Sequence, residues 1–309
     1  MVQAKLKENV VSGVQWQDEL PYHISKIGPP FDKWPILMDH SRVPGNDSVW
    51  AFYNFVNVPQ RVVLPEPLQY AAPHRHPAGM DELYLIVGSE GAVTVEVQLD
   101  HQIFEVSSPG AVYIPSGVTH GICPIAFEKD AKGGVIAVCN HSTYTCEPPA
   151  NIQAERVGSA LHPNINREVR MIDELIYHRS NFPVKWPIIM DSTICSASKM
   201  WAFYAYLPQT PENTSIRPED TLWADPHRHP PGTDELYCVV GEDQAVTVEV
   251  GLDGERYRIA SPGAVFIPAG TTHYIKPVDF TPGKAGGIIA VVTNGAYECS
   301  PPEAHEWGA

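Results

Sequence analysis

The chain is short of positive charge. Lys and Arg number 21 against 36 Asp and Glu, which gives a formal net charge of −15 over 309 residues. Such a surface repels phosphate backbones, so nucleic acid is excluded as the expected partner. No apolar run approaches the roughly 18 residues of a membrane helix, so no membrane partner is expected. The opening MVQAKLKENVVSG lacks an apolar segment and a cleavage pattern, so no secretory signal is read and a cytoplasmic location is expected. None of the six cysteines forms a Cys-x-x-Cys pair, which leaves reduced thiols as the simplest reading.

What the chain does have is an internal repeat. PHRHPAGMDELYLIVG spans 73–88 and PHRHPPGTDELYCVVG spans 226–241. PGAVYIPSGVTH, ending at His120, returns as PGAVFIPAGTTH, ending at His273, so both signatures recur at a spacing of 153 residues. Further echoes surround them: KWPILMD at Lys33 and KWPIIMD at Lys185, WAFY at Trp50 and at Trp201, and a Pro-Pro shortly after Cys146 and after Cys299. Two domains are expected, 1–155 and 156–309, with the joint in polar Asn151–Asn166. The 30 prolines and 23 glycines, with short β-branched runs such as Val93–Val97, indicate an all-β barrel or sandwich.

Within a strand alternate residues share a face, so His74 and His76 point together while Arg75 points away. An acid follows at Asp81 or Glu82, and His120 arrives 44 residues after His76. The second copy offers His227, His229, Asp234 or Glu235, and His273. Imidazoles with a carboxylate suit Zn, Fe, Mn, Ni or Cu and leave positions open for substrate. If Glu82 and Glu235 point inward, so do Tyr84 and Tyr237, whose phenols could donate to a substrate. Lys33 and Lys185 are candidate anion holders, although each sits beside a Trp-Pro pair that reads as packing. Tyr274, where the first copy has Gly121, is expected to narrow the second pocket and leave catalysis to the first.

These two signatures resemble those of the cupin superfamily, and their duplication resembles a bicupin. The resemblance covers the core of both units and implies two tandem jelly-roll-type β-barrels. It makes His74, His76, His120, His227, His229 and His273 metal ligands. By family spacing the carboxylate ligand would be Asp81 and Asp234; by residue type it would be Glu82 and Glu235, which we favour; in a third reading the histidines alone bind the metal and the acid serves as base or hydrogen-bond partner. It implies a metal-dependent enzyme on a small molecule, with a homo-oligomer compatible. The first expectation is an Fe(II) dioxygenase, an oxidoreductase acting on an aromatic or enolic substrate. The alternative is a non-redox lyase, isomerase or decarboxylase acting on a hydroxy- or keto-acid. Storage or regulatory bicupins without catalysis are disfavoured, because two full ligand sets are present.

Overall fold

The structure is a computed structural model that describes residues 6–23, 33–64, 71–180, 185–207 and 222–304. Each half folds as a barrel of two facing sheets, antiparallel except where Glu155–Gly158 joins Gln102–Ser107 in parallel, the tandem jelly-roll pair expected from the sequence. In the first barrel the seven-stranded sheet runs, in spatial order, Ile165–Asn166, Gly110–Ile114, Glu82–Gly88, Ala131–Cys139, Trp50–Val58, Trp34–Met38 and Gln15–Gln17. Facing it are Glu155–Gly158, Gln102–Ser107, Val93–Leu99, His120–Phe127 and Val62–Val63, with Ala71–His74 also paired to His120–Phe127. The second barrel repeats this plan around Glu235–Gly241 and His273–Phe280. No helix among the described residues is long and apolar enough to cross a membrane.

The barrels exchange edges. Val10–Ser12, from the start of the chain, pairs with Gly263–Ile267 of the second barrel, with Val10 opposite Val265. Ile165–Asn166, from the second half, pairs with Gly110–Ile114 of the first, with Ala111 opposite Asn166. An edge strand leaves backbone donors and acceptors unpaired, and each exchanged segment covers one such edge.

The strand that carries the site is buried on both faces. Leu83, Leu85 and Val87 enter an apolar cluster shared with Leu236, Cys238 and Val240 of the other barrel. Tyr84 and Ile86 turn instead into the first barrel, among Val95, Val97 and Phe104. This explains why ELYLIVG reads as a continuous apolar run rather than an alternating one. Each fully buried leucine contributes about 1.5–3 kcal/mol by transfer from water.

The two seven-stranded sheets are also bonded through a reciprocal pair of tyrosines. Tyr53 Oη donates to Gly241 O at 2.7 Å and accepts from Gly241 N at 2.8 Å. Tyr204 Oη makes the same two contacts to Gly88, at 3.1 and 2.9 Å. Gly88 has φ of 151°, a backbone conformation that a side chain would strain. Tyr53→Phe should therefore leave a buried N–H and carbonyl short of a partner, at a cost of about 1–3 kcal/mol in urea-unfolding stability. An unchanged midpoint would show that the tyrosine bonds do not tie the barrels.

Candidate metal centres

His74 ends strand Ala71–His74 and His120 begins strand His120–Phe127, and the two residues lie directly opposite each other in the ladder. Their rings are 4.3 Å apart between centroids. His76, two residues further on, brings its ring to 4.9 Å from that of His120. Glu82 enters from the seven-stranded sheet as the first residue of strand Glu82–Gly88. One potential ligand atom from each of these four side chains lies within 4.8 Å of all the others, and all four residues are buried. His227, His229, Glu235 and His273 form the same cluster in the second barrel.

The second barrel has the same pairing, His227 opposite His273 with rings 4.3 Å apart, although Tyr274 stands where the first barrel has Gly121.

Each imidazole is oriented through its far nitrogen. His74 Nδ1 bonds Ala72 O at 2.8 Å, His76 Nδ1 bonds Thr145 O at 2.8 Å, and His120 Nδ1 bonds Val118 O at 2.9 Å. A carbonyl can only accept, so Nδ1 carries the proton and, in the neutral ring, Nε2 presents its lone pair to the centre. The second cluster uses Asp225 O at 2.7 Å, Glu298 O at 2.7 Å and Thr271 O at 2.9 Å in the same way.

Glu82 Oε2 stands 3.3 Å from His76 Nε2 and 3.0 Å from His120 Nε2. Glu235 Oε2 stands 3.2 Å from His229 Nε2 and 2.9 Å from His273 Nε2. Despite those distances, His120 Nε2 and His273 Nε2 lack an aligned hydrogen-bond partner, although both are buried. A buried polar atom left in that state costs stability, and a cation in the gap would satisfy it. The donor set of three neutral imidazoles and one carboxylate fits a first-row divalent metal.

The electrostatics agree. Burial alone would raise the Glu82 pKa, but the His120 and His76 rings close beside it hold it well below the usual carboxylate range. Glu235 behaves alike, with His229 its strongest opposing partner. Burial lowers His74 from 6.5 to about 3, keeping it a neutral ligand, and drives His227 down as well. Burial also works against charge on His229, yet the Glu235 carboxylate, with further help from Cys299, lifts it to about 10. Without metal these contacts favour a proton on His229 beside Glu235, and His76 in the first centre is raised in the same direction. Because the folded His229 pKa lies above 6.5, the stability from its pair with Glu235 is full below pH 6.5 and fades as pH rises through about 10.

Asp81 and Asp234, the ligands that family spacing favoured, lie outside both clusters. Asp81 turns to the barrel interface, where it meets Tyr113 Oη at 2.7 Å, Ser116 N at 2.8 Å and Lys199 Nζ of the second barrel at 2.9 Å. Asp234 accepts from Ala269 N at 2.7 Å and from Ser48 Oγ of the first barrel. These aspartates clamp the turn that leads to the third histidine. Tyr84 does face inward, its ring 6.1 Å from that of His120, and Tyr237 lies 6.0 Å from His273. Lys33 and Lys185 do not serve as anion holders here: they reach Asp18 at 2.7 Å and Asp173 at 2.9 Å and are about half exposed. Tyr274 does not narrow the second pocket. It follows inward-facing His273, so alternation sends it outward, where its hydroxyl donates to Glu249 at 2.8 Å. A cleft of about 740 Å³, lined by residues including Glu105, Arg167 and Tyr206, contains no cluster residue.

Two pairs of site residues went unnoticed in the sequence. Tyr144 Oη lies 2.8 Å from His74 Nε2, and Tyr297 Oη lies 2.9 Å from His227 Nε2. His23 packs edge-on to Trp34 and Tyr144, with centroids at 4.9 and 5.4 Å, and His178 does the same with Trp186 and Tyr297 at 5.0 and 5.3 Å. The signal was present, since both tyrosines stand two residues before the repeated cysteines Cys146 and Cys299.

The fold agrees with solved structures. Lactobacillus farciminis oxalate decarboxylase in a formate complex aligns with a TM-score of 0.60 at 12% identity, over 97% of this chain and 89% of that one. A single-substitution mutant of Bacillus subtilis oxalate decarboxylase aligns with a TM-score of 0.56 at 12% identity, over 94% and 79%. A further B. subtilis oxalate decarboxylase structure, described with Mn(II) centres, aligns with a TM-score of 0.56 at 11% identity, again over 94% and 79%. The chain has the bicupin fold. No family model and no curated relative matches this sequence.

If the clusters bind metal, His74→Ala combined with His76→Ala should lose one of two metal equivalents by elemental analysis, while the second centre stays loaded. Retention of both would remove the first cluster as a site. Loading metal-stripped protein near neutral pH should release about one proton at the second centre as His229 becomes a ligand, seen as buffer-dependent calorimetric heats. Affinity there should rise with pH toward 10. Heats independent of buffer would contradict this.

Proposed function

We propose that this bicupin is a metal-dependent lyase that acts on a small carboxylic, hydroxy- or keto-acid, with a divalent metal, Mn(II) foremost, held by His74, His76, Glu82 and His120 and by His227, His229, Glu235 and His273. The observation that carries the reading is the pair of buried three-histidine, one-glutamate clusters, one in each barrel. Between the two activities expected from the sequence, the resemblance to decarboxylases favours the non-redox one over the Fe(II) dioxygenase. Such a metal supplies Lewis-acid polarisation of a carboxylate or carbonyl oxygen.

The protein's own residues then have definite tasks. Beside the first cluster His23 packs on Trp34, Phe52 and Tyr144, so a small substrate reaching His74 would meet aromatic rings. Burial, and then the nearby Glu82 charge, keep the Tyr144 pKa well above its ordinary value, so it remains a phenol able to donate to a substrate oxygen. Tyr84 is held protonated for the same two reasons and is a second hydroxyl, on the His120 side of the cluster. Orientation of an acid therefore falls to hydroxyl donors and the metal, not to Lys33.

The test is an assay of Mn(II)-loaded protein against small di-, hydroxy- and keto-acids, alongside phenols and enols, with CO₂ and O₂ followed together. Carbon dioxide release from an acid without net oxygen consumption is the expected result. Stoichiometric oxygen uptake with a phenol or enol, by protein that carries iron, would overturn it in favour of the dioxygenase. Tyr144→Phe should lower turnover about 10- to 100-fold, the worth of one hydrogen bond to a charged group, with metal content unchanged. Full turnover in that variant would remove Tyr144 from the reaction.

A further inference from the structure

The two centres differ in what touches the outer oxygen of the carboxylate. In the first barrel Cys139 closes strand Ala131–Cys139 directly opposite Glu82, and its Sγ lies 3.7 Å from Glu82 Oε1. The same register position in the second barrel, opposite Glu235, is Val292. Both residues are fully buried, and Cys139 and Val292 also stand opposite the equivalent Trp50 and Trp201. The substitution therefore places a thiol in one centre where the other has methyl groups. A thiol buried in apolar surroundings keeps its proton, so the Cys139 S–H faces the carboxylate as a weak donor.

The direction of this contact matters. Glu82 Oε2 is the oxygen that faces His76 and His120, at 3.3 and 3.0 Å. The thiol addresses the other oxygen, Oε1, and also interacts with the His76 ring. A donor on that oxygen draws electron density from the carboxylate and disfavours its turning both oxygens inward.

We propose that Cys139 is a positioning residue that makes the first centre a metal site distinct from the second, by holding Glu82 to a single inward oxygen and weakening it as a donor. In the second centre Val292 leaves Glu235 without that restraint. The proposal rests on metal binding by both clusters. It gives the duplicated centres unequal affinity, with the first the weaker holder and the stronger Lewis acid.

The experiment compares the full-length wild type with Cys139→Val, Cys139→Ser and Val292→Cys, each stripped and reloaded with Co(II) or Mn(II). The wild type should give two distinguishable absorption or EPR signals and two binding steps. Cys139→Val should convert one signal toward the other and tighten the weaker step about two- to fivefold, the scale of one weak S–H bond. Cys139→Ser, which keeps a donor, should retain two signals, and Val292→Cys should move the second signal toward the first. Two identical signals in the wild type, or no spectral change in Cys139→Val, would overturn the proposal. In metal-free protein the S–H stretch assigned by difference against Cys139→Val should shift when Glu82 becomes Gln. An unshifted band would overturn the thiol–carboxylate contact itself. If no variant takes up metal while that band does shift, the metal-dependent function fails and the contact stands.

Discussion

The structure depends on a set of lone pairs aimed at one another in a dry interior. Three imidazoles per barrel have their Nδ1 protons fixed on backbone carbonyls, at Ala72, Thr145 and Val118 in the first. Their Nε2 atoms and a glutamate oxygen are thereby forced to converge. Electron pairs brought together in this way repel unless a proton or a cation lies between them. Electrostatics favour the proton solution in the His229–Glu235 pair, and His273 Nε2 is still left without an aligned partner. A divalent ion satisfies all four atoms together.

The rest of the fold serves to hold that convergence rigid. Strand Glu82–Gly88 presents Glu82 and Tyr84 to the inside of the barrel and packs Leu83 and Leu85 against the other barrel. A shift of one residue in its register would carry the carboxylate to the wrong face. Register is pinned on the neighbouring residue, where Asp81 is bonded to Tyr113, to Ser116 N and to Lys199 of the second barrel. The acid that is not a ligand thus fixes the position of the one that is. The pairing of barrels is therefore part of the site's construction, and the tyrosine bonds to Gly88 and Gly241 reinforce it.

Much of this was legible in the sequence because duplication printed it twice. The His-x-His pairs follow from strand alternation, and so does the inward direction of Tyr84 once Glu82 is placed. The choice between Asp81 and Glu82 was not legible from spacing, because adjacent residues on a strand face opposite ways and either could face the histidines. The interface decides it by giving Asp81 three partners of its own. Tyr144 and His23 come from segments far from both signatures and reach the cluster only through the closure of the barrel. The exchange of Val10–Ser12 into the second barrel left no local mark either, since a three-residue strand carries little pattern. Tyr274 and Lys33 were misplaced for a simpler reason: proximity in sequence to a site residue does not give a side chain the same direction.

The most direct measurement is an anomalous-difference map, or X-ray absorption at the metal edge, from crystals or solutions of Mn(II)-loaded protein. The expected result is two ions per chain, each at about 2.0–2.3 Å from three imidazole nitrogens and one glutamate oxygen. Ions found on Asp81, on Asp234 or only at the exposed surface, with the histidine clusters empty, would contradict the account.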